Sequence, residues 1–330
     1  MTVLVTGSSG FIGQNLCRYL KERNFKVIGL DAFRPNQKIY KHHFLTFKPE
    51  STDYVDEFIE YRLGTTAKKE VLSEVLGRVN WVIHLAAQSH VDTSINDPMV
   101  FAKDNFAGTI ELFEEIKNLQ QMPRVILFST DEVGACLHEG EFYEDGKFVT
   151  GSVYSASKAA QEHAATAYIK KYNMPIYITR CVNVFGPGQA YEKFLPRIII
   201  NALEDKKVPI YGSGYQQRQW VYVDHVCEFL NVMLLANYMP HGKAVHITGT
   251  KEIPNILLAR LVLGILNKPQ SLVEHVRDRL GHDERYALGR TEETDQWSLP
   301  EYAGPFDQDL MRTIEWYVGQ YREMMKKVTA

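Results

Sequence analysis

Asp131 and Glu132 stand side by side within Phe128-Ser129-Thr130-Asp131-Glu132-Val133. Adjacent carboxylates in unlike surroundings can divide labour, one giving a proton while the other takes one. If a strand continued through them, their side chains would point to opposite faces, whereas a loop after Thr130 lets both reach one substrate. Spacing alone allows equally for solvated acids at a strand end. A second pair, Tyr154 and Lys158, lies four residues apart on one face of an expected helix. A lysine cation near a phenol favours the phenolate, which makes Tyr154 a usable base near neutral pH, and the same ammonium can hold ribose hydroxyls. The third group is Thr6-Gly7-Ser8-Ser9-Gly10-Phe11-Ile12-Gly13. Gly7, Gly10 and Gly13 permit a tight turn, close approach of backbone to a pyrophosphate and tight helix–strand packing, while a helix opening at Phe11 and Ile12 offers amide donors and a positive dipole end.

These groups need a scaffold, and the hydrophobic pattern supplies one. Val3–Val5, Lys26–Leu30, Trp81–Leu85, Arg124–Ser129 and Ile176–Arg180 read as short β-branched strands, and Gly13–Glu22, Lys68–Leu76, Ala102–Lys117 and Ser155–Tyr172 carry apolar residues at helical spacing. Strands alternating with helices predict an α/β fold, a doubly wound parallel-sheet Rossmann domain. The glycine turn follows the first strand, and the second ends at Asp31, placed to accept hydrogen bonds from an adenosine ribose. An acid there disfavours a 2′-phosphate, so NAD is expected rather than NADP, with Arg34 the one nearby residue arguing otherwise. From Cys181 onward glycines and prolines punctuate shorter elements, which predicts a smaller mixed α/β substrate-binding domain over 181–330 after an NAD-binding domain over 1–180, with a return crossing near 220–248.

Thirty-seven Lys and Arg against forty Asp and Glu give a formal charge of −3, which argues against a nucleic-acid or anionic-membrane binder. Met1–Thr6 breaks at once into the glycine turn, so no secretion signal is expected, and the apolar stretch Ile253–Leu266 is shorter than the roughly 20 residues of a membrane span. Cys17, Cys136, Cys181 and Cys227 show no metal-ligand or redox spacing and are expected to be reduced and buried in a cytoplasmic protein; no metal is expected. His84 and His90 read as satisfied histidines at a strand end.

The glycine spacing with Tyr154 and Lys158 resembles the extended short-chain dehydrogenase/reductases. Ser129-Thr130-Asp131-Glu132-Val133 is similar to the signature of the nucleoside-diphosphate-glucose 4,6-dehydratases, best known for dTDP-glucose. His84-Leu85-Ala86-Ala87-Gln88-Ser89-His90, Asn105, Arg180–Pro187, Glu192-Lys193, Arg218 and Asp278–Tyr286 agree with that family, so the resemblance runs over nearly the whole chain. It implies an internal redox cycle on a nucleoside-diphosphate hexose. Tyr154 would take the proton of the sugar 4-hydroxyl, Thr130 would hold that oxygen, and hydride would pass from C4 to NAD. Glu132 would then remove the acidified C5 proton while Asp131 protonates the departing 6-hydroxyl, and hydride would return to C6. The resemblance further implies Ala86, Ala87, Asn105 and Lys158 at the cofactor and Gln88 and Ser89 at the hexose. Asn183, Arg218, Asn255, Arg279 and His282 would serve the diphosphate with Tyr286 nearby, and Glu192, Lys193 and Leu195 would line the pyrimidine pocket.

Some positions depart from the family. Gly134 and Ala135 replace a Tyr-Gly pair, which predicts a more mobile loop after Glu132 and a wider sugar pocket; Thr65, Gln219 and His225 each replace an aspartate, and Gln88 a glutamate. UDP-glucose therefore stays open as the substrate. An epimerase, a decarboxylase or a non-catalytic NAD-binding scaffold are the alternatives, against which the retained acids, Tyr154 and Lys158 count. The alanine-rich face of the helix after Tyr154, beside the helix ending at Lys117, resembles the family's dimer interface and implies a homodimer, although packing within one chain would account for the same alanines.

Overall fold

A computed structural model describes residues 1–32, 54–65, 69–134, 136–236, 241–249, 251–278, 282–295 and 304–329. Arg279, Arg34 and Ala135 lie outside the described residues. The first strand, β1 (Thr2–Thr6), is buried from Val3 onward, as a strand covered on both faces must be. The glycine turn delivers the chain into α1 (Phe11–Lys21), which buries Leu16, Cys17 and Leu20 against the sheet. Then come β2 (Lys26–Asp31), β3 (Glu57–Glu60), α2 (Lys69–Leu76) and β4 (Trp81–His84). Two short helices, α3 (Val91–Asn96) and α4 (Pro98–Phe101), precede a π-helical segment at Ala102–Ala107, so the helix expected over Ala102–Lys117 becomes regular only as α5 (Gly108–Lys117). β5 (Arg124–Thr130) and the long α6 (Val153–Tyr172) follow. Ser152 and Ser155 close a reciprocal capping box at the start of α6, and Asn173 ends it in the left-handed region at φ 52°.

After β6 (Ile176–Cys181) the chain builds β7 (Asn183–Phe185), α7 (Phe194–Leu203), β8 (Val208–Tyr211), β9 (Gln217–Tyr222) and α8 (Val223–Leu235). It continues through β10 (Ala244–Ile247), β11 (Lys251–Pro254), α9 (Asn255–Ile265), β12 (Val273–Val276), β13 (Arg285–Tyr286), α10 (Glu292–Asp295) and α11 (Phe306–Thr329). The main sheet has seven strands in the order β10-β6-β5-β4-β1-β2-β3, all parallel. Its order reverses between β1 and β4, and the crevice beyond the carboxyl ends there is where such sheets bind ligands. β3 and β10 were not among the strands legible from pattern. β10 re-enters beside β6, and α8 packs on α1, so both elements lie with the first sheet.

The remaining strands form a sheet in which β9 pairs with β7, β11 and β13, and a second pair β8-β12, around a separate core of Phe185, Ile199, Trp220, Leu258 and Tyr317. Ile253–Leu266 becomes the end of β11 and α9, whose Leu258, Val262 and Leu263 are fully buried. No helix among the described residues is long and apolar enough to cross a membrane. Cys17, Cys181 and Cys227 are buried free thiols; Cys136 is exposed, because its loop runs over the surface before joining the backbone at Arg285 through Leu137.

Candidate active site

The carboxyl ends of the parallel strands open into a cavity of about 470 Å³ that also reaches the second core. At its floor, Gly7 takes φ +72°, and a Cβ there would lie 2.8 Å from the Ala86 nitrogen. A Cβ on Gly13 would lie 2.1 Å from the Gly7 carbonyl oxygen. At both positions a side chain would collide with backbone, so the turn closes this tightly only because both are glycine. Gly10 is the N-cap of α1 and has no side chain to cap it, which leaves the first amides of α1 available, and the hydroxyls of Ser8 and Ser9 are buried with no partner. Asp31 stands alongside, its Oδ2 accepting from the Ser9 N–H at 2.9 Å. Uncapped helix amides, three glycines bordering the cavity and an acid at the end of β2 fit a dinucleotide. Gly7, Gly10, Phe11, Ile12 and Gly13 line the cavity, with Ala87 opposite; Asp31, Ala86 and Asn105 stand behind this lining.

Asp131 and Glu132 converge because β5 stops at Thr130. One 3-10 turn follows, Asp131–Val133, with Thr130 as its N-cap accepting from the Glu132 N–H at 3.4 Å. Strand alternation ends there, so both acids line the same cavity as Tyr154 and Lys158. The chain leaves the strand at Thr130, so the two acids face one cavity rather than opposite faces of a continued strand. Thr130 Oγ1 also donates to Asp131 Oδ1 at 3.0 Å, while Asp131 Oδ2 is buried without a partner. Burial pushes the Asp131 carboxyl up to about 6, against smaller lowering by the Thr130 hydroxyl and Arg218. Lys158 donates to the Phe128 carbonyl at 2.7 Å, and burial draws its ammonium down to about 8 while Glu162 opposes. Tyr154 departs from expectation: burial and the charges of Glu132 and Asp131 raise its pKa, against a lowering hydrogen bond with Thr130. In the chain by itself Tyr154 is a phenol, because burial and the neighbouring acids outweigh the bond from Thr130.

Arg218 lies buried on β9, its guanidinium held by the carbonyls of Gln217 and Asp283 at 2.7 and 2.9 Å, with its Cζ 5.0 Å from the Tyr286 ring centroid. His282 is fixed by Asp278 at 2.7 Å and packs edge-on against Tyr211. Asn183, Asn255, Glu192, Lys193, Ser89 and His282 line the cavity, and Lys193 donates to the Ser89 carbonyl at 2.8 Å. Tyr286 does not line it but lies behind Arg218, bonded to Asp283. Two expected contacts face elsewhere. Gln88 Nε2 donates to Asp104 Oδ2 at 2.8 Å, and Arg62 engages the same carboxylate, so the Gln88 side chain is turned from the hexose end. Leu195 is 1% exposed inside the second core because α7 starts after Lys193, which puts Phe194 and Arg197 on the cavity face instead. Tyr211, Gln189 and Trp220 complete the lining; the i, i+3 spacing of Phe194 and Arg197 is the signal that would have found those two. Gly134 does not widen the site, because the Phe142 ring fills the adjoining space and a Cβ would lie 2.6 Å from it.

A family described as "NAD dependent epimerase/dehydratase family" matches residues 3–248. The chain belongs to this family. Within the epimerase/dehydratases, the probable dTDP-glucose 4,6-dehydratase of Sinorhizobium fredii is 35% identical, over 96% of this chain and 93% of its own length. The low-salt glycan biosynthesis protein Agl12 of Haloferax volcanii is 32% identical over 97% and 99%. Among solved structures, DesIV, a dTDP-glucose 4,6-dehydratase from Streptomyces venezuelae with NAD and TYD bound, superposes with a TM-score of 0.86 at 32% identity, covering 97% of each chain. The UDP-glucuronic acid 4-epimerase of Bacillus cereus, with UDP-glucuronic acid and NAD, gives 0.83 at 25% identity, covering 97% of this chain and 99% of its own. The extended short-chain dehydrogenase fold and NAD dependence are those of the epimerase/dehydratase family. Two departures from its pattern have local causes in this member: Gln219 both accepts from and donates to the Leu288 backbone, at 3.0 and 3.4 Å, which a carboxylate could not do, and His225 pairs with Asp309 at 3.0 Å.

Proposed function

We propose that this chain is a nucleoside-diphosphate-glucose 4,6-dehydratase that converts dTDP-glucose to its 4-keto-6-deoxy product. The observation that carries the reading is Asp131: a buried carboxyl at the end of β5, with one oxygen unpartnered and a pKa raised to about 6, beside Glu132 in the cavity of Tyr154 and Lys158. Burial that raises the carboxyl toward neutrality lets it hold its proton far closer to neutral pH than an ordinary aspartate, and the protonated form is the one that can donate. NAD would be held by the glycine turn, the α1 amides, Asp31, Ala87 and Lys158. Oxidised NAD held by these residues would supply a reversible hydride acceptor and a positive charge that favours the Tyr154 phenolate.

Tyr154, drawn toward phenolate, takes the proton of the sugar 4-hydroxyl while Thr130 orients that oxygen. Once C4 is a ketone, the proton on C5 is acidic, and Glu132 removes it as Asp131 protonates the 6-hydroxyl leaving as water. Arg218, His282, Asn183 and Asn255 supply cations and donors for the diphosphate. Glu192, Lys193, Phe194, Arg197 and Tyr211 surround the base. One methyl separates thymine from uracil, worth about 1–3 kcal/mol in a pocket, so UDP-glucose is the second substrate to try.

We also propose a homodimer of a cytoplasmic enzyme. α3, the segment 98–107 and α6 pack together and leave Ile95, Met99, Phe106 and Val153 exposed, Met99 by 73%. The cofactor lobe is taken as 1–180 with the return through 223–247, and the nucleotide-sugar lobe as the rest of 181–330. Incubating the purified protein with dTDP-glucose and, separately, UDP-glucose tests the reading by mass. Loss of one water from either establishes the dehydratase and its base. A folded, NAD-loaded protein that eliminates water from neither refutes it.

A further inference from the structure

His84 ends β4 fully buried, with both ring nitrogens engaged. Nδ1 lies 2.8 Å from Thr6 Oγ1 and Nε2 lies 2.9 Å from Thr109 Oγ1. The direction of each bond follows from its neighbours. Thr109 has a single hydroxyl proton and gives it to the Asn105 carbonyl at 2.7 Å, because a carbonyl can only accept. His84 must therefore donate from Nε2, and burial, helped by the Lys158 charge, draws its pKa down to about 3, so the ring is neutral and Nδ1 accepts from Thr6. Thr6 in turn accepts from the Ala86 N–H at 3.2 Å. The result is a chain of bonds with one polarity, from Ala86 through Thr6, His84 and Thr109 to Asn105.

Both ends of this chain of bonds lie directly behind residues that line the site. Thr6 precedes Gly7, whose missing Cβ is what allows Ala86 to lie against the turn. Asn105, within the π-helical segment, donates to Ser157 Oγ at 2.8 Å and clamps the Gln88 backbone from both sides, at 2.7 and 3.1 Å. Ser157 lies between Tyr154 and Lys158 and donates to the Tyr154 carbonyl at 2.7 Å. We propose that His84 is a positioning residue, a fixed Nε2–H donor that ties the cofactor turn to the catalytic helix. It touches neither cofactor nor sugar and acts through Thr6 and Asn105.

The test compares His84→Phe, which fills the space without hydrogen bonds, with His84→Gln, which can accept from Thr6 and donate to Thr109. NAD affinity by calorimetry is the main readout, with nucleoside-diphosphate affinity, set by the other lobe, as control. His84→Phe is expected to weaken NAD binding about tenfold and to lower kcat, leaving dTDP or UDP affinity unchanged, while His84→Gln stays within about threefold of wild type. Wild-type NAD affinity in His84→Phe, or equal loss in both variants, overturns the proposal. If His84→Phe does not fold, Thr109→Val breaks the next link; NAD affinity weakened there supports the proposal and undiminished affinity overturns it. The inference rests on the NAD reading of the glycine turn, and the two fail differently. A wild-type protein that binds no dinucleotide defeats both, whereas wild-type binding that the variants leave untouched defeats this one alone.

Discussion

Replacing Asp131 by asparagine is expected to make the protein more stable near neutral pH and catalytically poor at once. The Asp131 carboxyl is 4% exposed, and its pKa stands at about 6 against an ordinary 3.8. Between those values the unfolded chain has released the proton while the folded chain keeps it, so stability falls as pH rises through the window. Above the folded pKa the whole cost is present, about 3 kcal/mol at 1.36 kcal/mol per unit; below 3.8 it vanishes. Asparagine has nearly the same shape and no charge. Urea unfolding should therefore show Asp131→Asn gaining about 3 kcal/mol at about pH 7.5 and only about 1.5 kcal/mol at about pH 5. Its turnover of the dehydratase substrate should fall by about two orders of magnitude or more, the scale of a lost general acid. A variant less stable than wild type at the higher pH, or a gain equal at both, would refute the argument that burial keeps this acid protonated.

Two further outcomes follow from contacts in the fold. Gly13→Ala drives a Cβ to 2.1 Å from the Gly7 oxygen and 2.8 Å from Ser8 Cα, both backbone, so the cradle must open; NAD binding should weaken by roughly 10- to 100-fold in a calorimetric titration, a few kcal/mol of overpacking. Arg180 makes a buried bidentate pair with Glu162, at 2.9 to 3.2 Å, and donates to the Glu144 carbonyl and His246; Arg180→Met strands the Glu162 charge and should cost about 3–5 kcal/mol in urea unfolding, while Glu162→Gln on that background should recover part of it.

What could be read from residues alone was whatever depends on local order. The glycine turn, the central strands, the Tyr154–Lys158 spacing and Asp31 are each written within a few consecutive residues. What could not be read depends on phase and on distant partners. A shift of one residue in where α7 begins moves Leu195 into a core and brings Phe194 and Arg197 to the cavity. Gln88 is turned by Asp104, itself presented by a π-helical segment that no periodicity of 3.6 announces. The phenol of Tyr154 is raised by acids arriving from β5, and Lys158 answers to a carbonyl on the same strand. The space freed at Gly134 is taken by Phe142, eight residues on.

The return of β10 to the edge of the main sheet also orders events during synthesis. β6 ends at Cys181, yet its outer neighbour comes only with Ala244–Ile247, and the whole second core of sheets around Trp220 begins in between. On the ribosome, the edge of β6 stays open until residue 247 of 330 has emerged, with its unpaired N–H and C=O groups offered to any passing strand. Vectorial folding therefore cannot finish the cofactor-binding half first and add the rest. The two halves must close together, and truncations that stop anywhere between β6 and β10 leave a sheet with a sticky border.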